Sequence, residues 1–530
     1  MKMNKYLINN VKIGLDDDEK TALEKARRII TQEHLNPNDF DFSIYKRSID
    51  ARNKDNILFV YTVLASTKAN VKPSRNSTIK LLECEDLIYE FGNEKLNERP
   101  LIVGMGPAGM FCALLLAENG YRPIIIDRGD SVADRTKALE AFINTGVLDP
   151  DSNVQFGAGG AGTFSDGKLT TRINDSRCSY VLSRFVEFGA PKEILTKAKP
   201  HIGTDILTKV VDNFLARIEE LGGQVIYRCR MDDIEEHTDY LKIITSKGEI
   251  KSGAVVLALG HSARDTYRML LSKNYVIEPK PFSVGVRVEH LQNDIDKALF
   301  GRYAGHDKLG PGEYNLSDTS KARGVYTFCM CPGGEVVPAT SQKLGVCVNG
   351  MSKFARDGAN ANCAVNVSVF KEDYGNDPHK AIEYQENLEK RAFVAGGGDY
   401  FAPIQLMGDF LDDKVTSSPS RIIPTYANGK RTTVTNLSTV LPDYITNRLR
   451  EGFLSFDRKI KGFAVNDAII TGVETRTSAP IRIMRNDSMT AISHPLVYPC
   501  GEGAGYAGGI MSSAIDGIKV AIEIIKKYKP

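Results

Sequence analysis

Hydrophobic residues along this chain fall into two kinds of pattern, short unbroken runs and spacings of three and four. The run Leu101-Ile102-Val103 has the length of a strand buried on both faces. After Gly104 to Gly109, Met110, Ala113, Leu114 and Ala117 recur at helical spacing until Gly120 stops them. A second run, Ile124-Ile125-Ile126, ends on Asp127, and a helix is predicted from Val132 to Thr145. Ile206, Val210, Val211, Phe214, Leu215, Ile218 and Leu221 mark the buried face of a further helix, with Thr204 as its expected N-cap and Gly222-Gly223 as its stop. Strands are predicted over Gln224–Arg230 and Leu241–Thr245, and a buried one over Val255–Leu259 that ends at Gly260. Far along the chain, His494–Tyr498 predicts a strand and Met511–Lys527 a helix.

The first 98 residues alternate differently. Strands are expected at Tyr6–Ile13, Phe42–Ser48 and Ile57–Leu64, with a helix running to about Gln32 after the acidic Asp16–Asp18. The polar stretch Asn70–Ser77 reads as a linker or mobile loop. Residues 270–480 are mixed, with strand patterns at Phe282–His290, within 323–338, at Gly345–Met351 and at Ala364–Phe370, and helices at Asp377–Val394 and Asp443–Arg450.

Candidate chemistry gathers at the glycines. Gly104, Met105, Gly106, Pro107, Ala108 and Gly109 give G-x-G-x-x-G between a strand and a helix. The first glycine permits the tight turn, the second lets a pyrophosphate approach bare backbone, and the third lets helix and strand pack closely. The helix N-terminus offers N–H groups and partial positive charge to a diphosphate. Asp127 stands where an acid can accept bonds from ribose hydroxyls, with Arg128 beside it, which favours FAD or NAD over NADP. A second glycine-rich stretch, 154–169, reads VQFGAGGAGTFSDGKL. Its Gly160, Ala161 and Gly162 expose backbone to a planar ring such as a flavin, with Thr163, Ser165 and Lys168 as polar neighbours. At the far end, Gly501 and Glu502, then Gly508, Gly509 and Ile510, join a strand to a helix. Such a unit can hold a ribityl chain, with the helix N-terminus facing the pyrimidine edge of the ring. Two strand–glycine–helix units about 400 residues apart imply a cofactor as long as FAD.

Composition narrows the partners. The 530 residues carry a net charge of +2 with 42% hydrophobic and 25% charged residues, so neither a nucleic acid nor another polyelectrolyte partner is implied. No apolar run is long enough to span a bilayer and the N-terminus lacks a signal-peptide core, so the expected location is cytoplasmic. Nine scattered cysteines agree with a reducing compartment. There is no C-x-x-C, and the dithiol chemistry of disulfide reductases is not expected. Cys329 and Cys331 are close-spaced and read first as structural or pocket-lining, with redox activity as the alternative; no metal site is expected.

With these motifs on the page, the chain resembles the two-dinucleotide-fold flavoproteins, and within them the uncharacterised bacterial FAD-dependent dehydrogenases. The resemblance lies in VGMGPAGMF, FGAGGAGTFSDGKL, ALGHSARD, KPFSVGVRVEH, FCMCPGG, VETRTSAPIRI and GEGAGYAGGI, with YKRSIDAR near the N-terminus. It implies an α/β fold. A Rossmann-like FAD-binding domain with a three-layer parallel sheet is expected from 99–269 and 481–530, an inserted mixed α+β substrate domain from 270–480, and a small α+β module from 1–98. It also implies FAD and an oxidoreductase role, and no particular substrate. The expected activity is that of a dehydrogenase or reductase acting on an organic small-molecule substrate through non-covalent FAD, with NAD(P)H as an optional transient electron donor. The alternatives are a flavin monooxygenase, and an FAD-containing protein with an adaptor or RNA-related role. Glu502 departs from the more usual aspartate of flavoproteins. Arg264, Arg287, His290, Arg476 and Arg482 are the expected contacts for an anionic substrate, and His261 is expected near the cofactor.

Overall fold

The computed structural model describes residues 3–74, 77–82, 87, 89–171, 173–416 and 421–530. Part of the Asn70–Ser77 segment, and Cys84, lie outside them.

The unbroken apolar runs become a parallel sheet in the order Val497–Pro499, Val255–Leu257, Leu101–Val103, Ile124–Ile126, Gln224–Ile226. Strands of this kind need apolar side chains on both faces, because helices and a second sheet cover them. Ile102, Ile125 and Val256 point to one face, into a core shared with the helices Pro107–Glu118, Thr204–Glu220 and Ile510–Lys527. Leu101, Val103, Ile126, Val255 and Leu257 point to the other, onto Met231, Ile234, Leu241 and Ile243 of a three-stranded antiparallel sheet. Helix Pro107–Glu118 is buried from Ala108 to Ala117, since neighbouring helices flank it. Its all-round apolar sequence is the mark of an enclosed helix rather than an amphipathic one.

A seven-stranded sheet follows the order Ser317–Asp318, Val325–Cys331, Asn360–Val369, Phe282–Leu291, Ile469–Glu474, Ala402–Leu406, Thr432–Val434. It is antiparallel except for its last pair. Helices Pro378–Ala395 and Asp443–Lys459 supply Leu388, Ala392, Leu449 and Phe453 to its core. Strands Ile277–Pro279 and Ile481–Ile483 pair antiparallel where the chain enters and leaves this region. Near the N-terminus, strands Asp41–Asp50, Leu58–Thr67, Asn4–Gly14 and Ile79–Leu81 form a four-stranded sheet in that order, with helix Glu19–Gln32 against it. Phe300 and Leu309 belong to the same core.

Three local expectations change, and one helix is new. Thr204 begins its helix rather than capping it; Gly203 is the cap, and the Thr204 hydroxyl donates to the Thr163 carbonyl at 2.7 Å. The Gln224–Arg230 strand stops at Ile226, because Arg228 turns the backbone with φ +51° toward the next strand, Met231–Glu236. His494–Tyr498 is mostly a tight turn, with strand only at Val497–Pro499. Helix Arg177–Glu187, which buries only Val181 and Phe185, leaves too narrow an apolar stripe to be read from the sequence.

Candidate functional site

The glycines of the first turn divide the work by geometry. Gly104 has φ +111°, and a Cβ there would stand 2.2 Å from the Ala258 carbonyl oxygen. A Cβ on Gly109 would stand 1.9 Å from the Gly104 oxygen, so the helix lies on the turn as closely as backbone allows. Gly106 is different: it is the N-cap of helix Pro107–Glu118, no side chain caps it, and a Cβ there meets nothing nearer than Gly160 Cα at 4.0 Å. The open side of the turn and the uncapped helix end therefore coincide.

Asp127 is 8% exposed and accepts from three backbone N–H groups, Met105 at 2.8 Å and Gly129 and Gly157 at 2.9 Å. Its first task is to tie the glycine turn, its own loop and the second glycine-rich stretch together, a wider role than the ribose contact expected of it. It also lines a pocket with Gly104, Phe156, Leu259, Ala263 and Thr266. Arg128 lines the same pocket, stacks over Phe156 at 4.4 Å and donates to Asp265 at 2.9 Å.

The stretch 157–168 is held from both sides. Arg135, fully buried, donates to the carbonyls of Asn153, Val154 and Ala158 at 2.7 Å each. Sequence reasoning missed this residue, since one arginine in a helical pattern carries no signal. Gly160–Phe164 form a 3-10 turn. Thr163 donates to the Ala158 carbonyl at 3.2 Å and Ser165 to that of Gly162 at 2.6 Å, so both hydroxyls shape the loop. A Cβ on Gly162 would lie 3.2 Å from Ile510. Asp166, also unforeseen, accepts from Arg356 at 2.9 Å and from Ser352, and Lys168 donates to the Met330 carbonyl. These bonds fasten the loop to the region of the seven-stranded sheet.

The last strand–turn–helix unit closes the cleft. Gly501 has φ +76° and donates to Asp516 at 2.7 Å, and Asp516 pairs with Arg485 at 2.7 Å. Gly501 approaches Ala108, Gly503 approaches Gly260, and a Cβ on Gly517 would stand 2.1 Å from the Ala108 oxygen. By contrast Gly260, Gly508 and Gly509 have nothing within 4 Å of a Cβ position. Gly509 ends in the N-terminus of helix Ile510–Lys527, again without a side-chain cap. Glu502 accepts a single long bond, from Gly509 N–H at 3.4 Å. Burial pushes its carboxyl up to about 7 against the opposing pull of that N–H and of Lys280. A half-buried carboxylate with so little to accept fits a hydroxyl-bearing chain, and bare glycines at two helix N-termini fit a diphosphate and a ring edge. The donor set thus fits FAD.

The residues expected to touch an anionic substrate are mostly committed elsewhere. Arg287 spends all three nitrogens on Glu474, Asn349, Asn362 and the Cys329 carbonyl, at 2.6–3.0 Å. Arg264 and Arg476 both grip Glu389, at 2.8 and 2.7 Å, and hold its carboxyl far below the usual range despite burial. His290 meets the Phe463 carbonyl at 2.7 Å and burial lowers its pKa. Arg482 is exposed and donates to the Gly505 carbonyl at 3.2 Å. His261 is kept neutral, its pKa lowered to about 3 by burial and then by Arg476 and Arg264. Lys280, unremarked in the sequence, has its pKa lowered by burial while Glu502 opposes the shift.

Comparison with known proteins bears on the family and its cofactor. Residues 281–477 match the family described as FAD-dependent protein, C-terminal domain-like, and residues 3–66 match a domain of unknown function. An uncharacterised protein of Clostridium beijerinckii is 46% identical over 532 residues, covering 98% of each chain. The chain belongs to the family of that protein, a family of uncharacterised FAD-dependent proteins, and FAD is its cofactor. Among solved structures, L-proline dehydrogenase from P. horikoshii is 14% identical over 82% of this chain and 94% of its own, with TM-score 0.35. The halogenase PltM is 11% identical over 81% of this chain and 68% of its own, with TM-score 0.37. Likenesses this distant carry no argument about chemistry.

Proposed function

We propose that the protein is an FAD-dependent dehydrogenase or reductase that acts on an organic substrate through non-covalently held FAD. The observation that carries this reading is that one bare stretch, Gly160–Gly162, lies beside two uncapped helix N-termini, approaching Gly106 at one end and Ile510, which follows Gly509, at the other. FAD bound there supplies hydride or electron chemistry. The chain's part is to bind and orient. Gly104, Gly106, Pro107, Ala108 and Gly109 present the first helix end, and Asp127 and Arg128 border the pocket for the adenosine half. Glu502 accepts hydroxyl donors, and the N-terminus at Gly508, Gly509 and Ile510 favours negative charge at a ring edge. Gly160, Ala161, Gly162 and Gly260 keep the backbone bare beside it. The same reading assigns cofactor binding to 99–269 and 481–530, substrate covering to 270–480, and a separate module to 1–98. What supports this division is the antiparallel pairing of Ile277–Pro279 with Ile481–Ile483 at the crossing points.

The test is an absorbance spectrum of the purified protein, followed by anaerobic NADH and then NADPH. Flavin bands that bleach promptly with one nicotinamide identify a nicotinamide-fed reductase, and bands that persist identify a dehydrogenase reduced by its own substrate. Gly106→Ala should fold normally, because its Cβ has room and its φ is −77°, yet lose most of its FAD affinity. Wild-type-like FAD binding by that variant would sink the assignment.

A further inference from the structure

Strand Val325–Cys331 breaks register against Asn360–Val369: Phe328 faces Ala364, but Cys331 faces Asn362, so three steps on one strand match two on the other. The extra residue is a bulge, a device that re-aims side chains next to functional sites. Cys329 sits in it with φ +37°, a conformation that non-glycine residues avoid unless their surroundings impose it. Among the described cysteines it alone is exposed; Cys331, two residues on, is buried.

The bulge is bolted on two sides. The Cys331 thiol donates to the Cys329 carbonyl at 3.2 Å, and Arg287 stands 3.0 Å from that carbonyl and 3.9 Å from the Cys331 sulfur. Lys168, from the glycine-rich stretch that fits the flavin, donates to the carbonyl of the intervening Met330. The bulge that carries the cysteine pair and the stretch assigned to the flavin are thus joined at Met330. In a flat strand, Cα atoms two residues apart stand roughly 6.6–6.8 Å from each other. That is the outer limit for a disulfide, and a bulge kinks the strand and shortens the span.

We propose that Cys329 and Cys331 form a dithiol/disulfide pair that exchanges two electrons with the bound FAD. In the oxidising direction both S–H bonds break and one S–S bond forms. The two electrons and one proton pass to FAD, giving FADH−, and the second proton leaves to solvent through the open side at Cys329. The reverse transfer reopens the disulfide. Burial pushes the Cys331 thiol up to about 12, so the reduced pair rests as a neutral dithiol.

The inference rests on FAD being bound, and its test separates the two claims. Air-oxidised holoenzyme is titrated anaerobically with dithionite while the flavin bands are followed. Bleaching of the flavin reports the cofactor whatever the thiols do. Wild type should take up four electrons per FAD, and Cys329→Ser or Cys331→Ser only two. In parallel, the oxidised protein is denatured, alkylated and digested. The peptide holding both cysteines should be unlabelled and lighter by two hydrogens, and should take two labels after reduction. This mapping needs no variant. Uptake of two electrons by wild type, with both cysteines alkylated in the oxidised protein, would overturn the proposal.

Discussion

At the scale of single residues, Glu502 ties the cofactor cleft to pH. Its folded pKa of about 7 lies above the ordinary 4.5, so the apoprotein binds more protons than the unfolded chain between those values. Stability is therefore full below about 4.5 and falls as pH rises toward 7. Glu289, buried in the seven-stranded sheet and also raised to about 7, acts in the same direction. Thermal unfolding of the apoprotein from pH 4.5 to 8 should show this decline, and Glu502→Gln should flatten it in part, with Glu289 keeping the rest. Identical slopes would mean that Glu502 is ordinarily solvated. Residues like these mark where the sequence was legible and where it was not. The turn glycines could be read because one backbone constraint dictates one residue type: no side chain fits 1.9 Å from an oxygen at Gly109. Arg135, Asp166 and Lys280 could not, because a charged residue's role depends on which distant carbonyl or carboxylate folding brings to it.

Among elements, the helix Pro378–Ala395 matters most to the cleft, through one side chain. Glu389 on it neutralises Arg264, which begins helix Arg264–Ser272 beside the Gly260 turn, and Arg476, which follows strand Ile469–Glu474. All three are nearly or fully buried. Glu389→Gln leaves two guanidinium groups facing each other out of water and should cost about 3–5 kcal/mol. Denaturant unfolding would measure it, and a loss under 1 kcal/mol would show that water reaches the cluster. The arginines looked like substrate contacts in the sequence because the acid that claims them lies more than 80 positions from either one. The short strands buried on both faces were legible, whereas helix Asp443–Lys459 was read only as far as Arg450 and Ile79–Leu81 was missed: three residues carry too little period to register.

For the whole molecule, the N-terminal sheet shares a core with Phe300 and Leu309, which belong to the far side of the sequence. Phe300→Ala should destabilise that sheet by about 3–5 kcal/mol while leaving the flavin spectrum unchanged. A first unfolding transition lowered without loss of FAD is the expected result, and simultaneous loss of both would join the two regions into one cooperative unit. The parallel sheet carries a consequence of its own. Its edge strand, Val497–Pro499, and the helix that seats on Pro107–Glu118 come from the last part of the chain. Gly104 and Gly501 are 397 positions apart (501 − 104). A ribosome needs roughly 20–80 s to cover that distance. Throughout that interval the nascent polypeptide holds half a cleft, so the vitamin-derived cofactor cannot template early folding. Loading must follow synthesis, and products of premature termination should be colourless.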